Sequence, residues 1–191
     1  APLEKGLKSV SLSANWMWPC NNEGEDARLY KAVEAASDFA IALGINIPTG
    51  KDSLSMKQRY PEGDVLAPGT VIISTGAQCS DIQSIVEPVF KFEGGPLYYL
   101  NLSSDEFKLG GSSFGQILGK LGNQAPTVKD ADYFAKAFDL LQASIKEGSI
   151  LAGHDVASGG LIPTLLEGCF PTPDLGAAID FSASGEEDLV K

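Results

Sequence analysis

The chain has 191 residues, 43% of them hydrophobic, a net charge of −11 and a mean hydropathy of +0.01. That is enough for one sizeable core or two small ones. The acidic balance argues against a nucleic-acid surface, which needs clustered Lys and Arg, and no apolar run reaches the roughly 20 residues of a membrane span.

Val10-Ser11-Leu12 predicts a short strand, followed by an aromatic ordered loop over residues 13–19 that ends at Pro19. Acidic residues at 23–26 suit a helix entry. The one-face spacing of Leu29, Val33, Ala36, Phe39, Ala40 and Leu43 predicts a helix over 27–43, with Gly44 as its cap. A strand over 45–48, a polar lysine loop over 50–57, a strand over 53–60 and a turn at 61–64 follow. The β-rich run 70–75 predicts a buried strand. Periodicity then fades, which places a linker at 79–95 between a unit at 1–78 and another at 96–191. In the second unit, strands are expected over 97–102, 150–152 and 177–181, and helices over 114–121, 130–147 and 161–169, before an acidic tail. The fold class is α+β in two units.

Three loops carry the candidate chemistry. In Gly50-Lys51-Asp52-Ser53-Leu54-Ser55-Met56-Lys57, a glycine would admit close backbone approach, while Lys and Asp suit a phosphate and its metal ion. The plain alternative is a solvated polar turn, since the glycine spacing and Lys-Ser/Thr end of a P-loop are missing. Gly110-Gly111-Ser112-Ser113 precedes a helix and suits either an anion site or an ordinary serine cap. His154-Asp155, followed by Ser158-Gly159-Gly160, puts a carboxylate at a strand exit; the alternatives are a structural histidine and a helix cap. Asn15, Trp16 and Trp18 suit either a pocket lining or core packing. With one histidine, any metal would be a hard cation on carboxylates. Cys20, Cys79 and Cys169 lack metal spacing and fit free thiols in a reducing cytoplasm. No signal peptide is evident, and the missing initiator methionine suggests a piece of a longer chain. No nucleophile–base motif is present.

Ser11-Leu12-Ser13-Ala14-Asn15-Trp16-Met17, Gly50-Lys51-Asp52-Ser53-Leu54-Ser55-Met56-Lys57, and Gly153-His154-Asp155 through Gly159-Gly160-Leu161 occur in that order. Together they resemble the large, single-chain phosphoribosylformylglycinamidine synthases, over about residues 9–170. The resemblance implies the end of an ATP-binding A domain at 1–78 and the start of a B domain at 96–191. It implies a cytoplasmic enzyme that uses ATP, Mg²⁺ and glutamine to amidate formylglycinamide ribonucleotide. Its partners would be these small molecules and the remaining domains of a parent chain, without nucleic acid or membrane. The resemblance assigns Lys51 and Ala157 to nucleotide binding and Asp52 and Asp155 to the metal; Ser53, Gly111, Ser112 and Ser158 join them as candidate nucleotide or substrate contacts from the loops they occupy. One departure stands out: the family pattern Arg-Ser-Asp-Gly-Gly is Val156-Ala157-Ser158-Gly159-Gly160 here, so Ala157 replaces a serine. A structural half-domain that pairs with the missing first half is the alternative.

Overall fold

A computed structural model describes residues 1–91 and 95–182. The chain divides into two compact units, Pro2–Asp81 and a second beginning at Ile82. The first is α+β. Its central strand β1 (Val10–Met17) is flanked by β2 (Asn46–Ser53), running parallel, and β5 (Thr70–Ala77), running antiparallel. Parallel neighbours need a crossover, and helix α1 (Glu25–Leu43) supplies it between β1 and β2. Gly24 and Gly44 bracket this helix in left-handed conformations, and the Gly44 N–H closes the last turn on Ala40 O and Ile41 O. Ala14, Trp18 and Ala40 are buried hydrophobics of the unit, and Pro19 is fully buried. Gly69 makes room for the Trp18 indole, since a Cβ there would lie 2.4 Å from Cζ2.

Several expectations about this unit change. The aromatic stretch after Leu12 is strand as far as Met17, because β5 pairs with every residue from Val10 to Met17. The lysine loop is not a loop through its first half: Gly50, Lys51, Asp52 and Ser53 pair with Ala14, Asn15, Trp16 and Met17. The strand expected over 53–60 is broken between β2 and β3 (Lys57–Tyr60), which forms a hairpin with β4 (Gly63–Leu66) across Pro61-Glu62. The run at 70–75 is a strand but not a buried one. It is a sheet edge, with Val71, Ile72 and Ile73 exposed by 38%, 52% and 42%.

The second unit contributes α2 (Ser113–Ile117), α3 (Ala131–Lys146) and α4 (Leu161–Glu167). Asp130 Oδ1 accepts from the Tyr133 N–H and caps α3. Helix α2 stops short of residue 121 because Gly119 turns left-handed and the Lys120 N–H returns to Gly115 O. Among the described residues, no strand forms over 97–102, 150–152 or 177–181. High β propensity expresses packing against neighbouring strands and needs a backbone ladder. None of the described residues offers a ladder to Leu97, Tyr98, Tyr99 and Leu100, which stay more than half exposed. The expected acidic tail at 183–191, like 92–94 of the expected linker, lies outside the described residues.

Candidate functional site

The carboxyl end of β2 brings the first candidate residues together. Gly50 has a different reason from close ligand approach: a Cβ there would sit 2.1 Å from Ala14 O, so the glycine lets β2 lie tight against β1. Beyond it, Lys51 Nζ donates to Ser53 Oγ at 2.7 Å. Residues two apart on a strand share a face, and adjacent ones do not. Lys51 and Ser53 therefore stand together on one face and Asp52 faces the other, opposite Trp16 in the register. The exposed ammonium and neighbouring hydroxyl can both donate to one anion; Asp52 cannot join them from its side of the strand.

In the second unit, the diglycine donors are already used. Gly110 N–H donates to Gln124 O and Gly111 N–H to Leu121 O, while Ser112 Oγ accepts from Gly115 N–H at 3.1 Å. Ser112 is thus an ordinary helix cap, on a helix of five residues. His154 lies between two carboxylates, with Nδ1 3.4 Å from Asp155 Oδ1 and Nε2 3.1 Å from Glu167 Oε2. The Asp155 side chain is 91% exposed. Ala157 and Ser158 are exposed in the turn before α4, closed by Gly160 N–H to Ala157 O. Among the described residues, no group of three or more His, Cys, Asp or Glu side chains is placed to hold a metal ion. Asp52 and Asp155 are at most single ligands, a role Mg²⁺ accepts when phosphates and waters complete its shell.

Two features escaped the sequence. Glu167 meets His154 only because α4 folds back, which local spacing does not signal. Asp105, with its side chain 1% exposed, forms ion pairs with Lys108 and Lys129 and accepts from the Glu106 N–H at 2.8 Å. Lys108 first, and then Lys129, hold this carboxyl well below the usual carboxylate range. Lys108 at i+3 was a usable signal; Lys129 was not.

Residues 1–78 match the model of the FGAR-AT PurM_N-like domain, so the first unit is a domain of that class. The chain is 40% identical over 182 residues to an Arabidopsis thaliana protein named probable phosphoribosylformylglycinamidine synthase, chloroplastic/mitochondrial. That alignment covers 94% of this chain and 13% of the relative. It is also 40% identical over 166 residues to the Homo sapiens phosphoribosylformylglycinamidine synthase, covering 86% of this chain and 12% of that one. The chain is similar to these phosphoribosylformylglycinamidine synthases over most of its own length and spans about an eighth of theirs. Among the described residues, no helix is long and apolar enough to cross a membrane.

Proposed function

We propose that the chain is part of a cytoplasmic enzyme that amidates formylglycinamide ribonucleotide to formylglycinamidine ribonucleotide in purine biosynthesis, using ATP and glutamine. The boundaries proposed for its A-type and B-type parts are 1–78 and 96–191. Its own contribution is a phosphate-binding strand end. The Lys51 ammonium offsets phosphate charge, and the Ser53 hydroxyl donates to a phosphate oxygen once Lys51 turns from it to the ligand. Gly111, Ser112, Ala157 and Ser158 are proposed as backbone or hydroxyl contacts to nucleotide in the second unit. Mg²⁺, when bound, supplies further charge neutralisation, with Asp52 and Asp155 as single carboxylate ligands. The Lys51–Ser53 pair, exposed at the end of a strand in a chain with these relatives, is the observation that carries the reading.

One observation favours a structural role instead: the diglycine N–H groups and Ser112 Oγ are engaged within the fold. Lys51→Ala in the full-length parent separates the two readings. Loss of ATP-dependent amidine formation with unchanged thermal unfolding supports phosphate binding, whereas intact turnover with a lowered melting temperature supports the structural role. The isolated chain is expected to give no amidine from ATP, formylglycinamide ribonucleotide and ammonia.

A further inference from the structure

The two faces of the first unit's sheet differ in chemistry. Strand alternation and the register put Leu12, Ala14, Trp16, Val71 and Ile73 on one face, with Thr75 and Asp52 as its polar members. The other carries Ser13, Asn15, Thr49, Lys51, Ser53 and Ser74, interrupted by Met17 and Ile72. A face meant for core packing would not gather hydroxyls, an amide and an ammonium. At its centre, Asn15 is paired in register with Lys51, on the neighbouring strand about 5 Å away. Asn15 Oδ1 is buried and has no hydrogen-bond partner among the described residues. A buried side-chain oxygen without a donor is uncommon and calls for a specific account.

We infer that Asn15 is a further binding residue of the Lys51 site, and that the ligand group it meets is a hydrogen-bond donor. Deepening the phosphate-site reading, on which it rests, the inference sets the ligand class. This is a phosphorylated molecule whose phosphate takes Lys51 Nζ and whose hydroxyl or N–H group donates to Asn15 Oδ1. Polyphosphate lacking such a donor fills only half the site. Ser53 Oγ, now accepting from Lys51, adds a hydroxyl beside the same phosphate position.

Calorimetric titration of the 191-residue chain with ATP and with inorganic tripolyphosphate tests this directly. ATP is expected to bind about tenfold more tightly than tripolyphosphate, the worth of roughly one good hydrogen bond. Asn15→Ala should abolish that preference and leave tripolyphosphate affinity unchanged. Asn15→Asp, which keeps the acceptor and adds a charge, should retain the preference while weakening both ligands. Lys51→Ala should weaken both alike. If both probes bind through Lys51 and Asn15→Ala leaves their ratio unchanged, the Asn15 inference fails and the Lys51 site stands. If the wild-type chain binds neither probe, both fail. Unchanged tryptophan emission in each variant confirms folding, and should Asn15→Ala unfold, Asn15→Leu, which removes the acceptor at similar volume, takes its place and should likewise abolish the preference.

Discussion

Gly50→Ala tests the packing that places Lys51. The added methyl would lie 2.1 Å from Ala14 O, 3.0 Å from Ala14 C and 3.3 Å from Ala14 N. An ordinary carbon–oxygen contact is about 3.2 Å, so the oxygen is overlapped by about 1 Å, well inside the steep wall of the contact. The obstructing atoms are backbone, held in a ladder on both sides by β2 and β5, and no side-chain rotation relieves them. Overpacking of this kind costs about 1–3 kcal/mol. For a unit the size of Pro2–Asp81, each kcal/mol lowers the melting temperature by about 4–8 °C, giving a fall of roughly 5–20 °C. Both tryptophans of the chain, Trp16 and Trp18, sit in this unit, so intrinsic fluorescence during heating reports it selectively. Gly76→Ala is the control: it lies on β5, with nothing within 4 Å of the added methyl and no left-handed backbone. It should leave the transition unchanged or raise it by a few degrees. A Gly50→Ala transition within about 2 °C of that control would refute the close-approach argument.

Two further outcomes follow from the second unit and the surface. Asp105 ionises more readily in the folded chain than in the unfolded one, because Lys108 and Lys129 favour its charge. Its stabilisation is therefore present above about pH 4 and lost as pH falls through the folded value. Asp105→Asn should unfold more easily at pH 7, and its deficit against wild type should shrink progressively below pH 4 in denaturant titrations; a deficit independent of pH counts against the ion pairs. Cys79 is exposed while Cys20 and Cys169 are half-buried. One thiol should therefore react rapidly with Ellman's reagent, and Cys79→Ser should remove that fast phase.

The helices were the most legible part of the fold. For α1, an apolar stripe agreed with the end signal at Gly44, and for α3 the span expected from 130 begins at the Asp130 cap. Strands were harder, because their stability rests on distant partners. Alternating Val10, Leu12, Ala14 and Trp16 against Ser11, Ser13 and Asn15 carried the period of a full strand, yet the aromatic run ending at Pro19 suggested a loop. The hairpin of β3 and β4 is almost wholly exposed and so had no apolar alternation to reveal it. Leu97-Tyr98-Tyr99-Leu100 shows the converse error: strong propensity without a neighbouring strand among the described residues. At the site, the sequence suggested Lys51 and Asp52 as the pair, and treating their segment as a loop concealed that Ser53 stands beside Lys51 while Asp52 faces away. Glu167 and Lys129 reach His154 and Asp105 across long stretches of chain, which no local pattern encodes.

The parallel pairing of β1 and β2 also writes a charge code. Sliding β2 by a single residue would exchange the faces of Lys51 and Asp52, replacing a cation with an anion beside Asn15. A phosphate site would become a phosphate-repelling one without any change in composition. The ladder already contains one irregularity between Ser11 and Ser13, upstream of the Ala14–Gly50 contact. Adding or deleting one residue between Pro48 and Gly50 would consequently act as a sign inversion on the sheet, and the tight fit of Gly50 marks the phase at which the sign is correct.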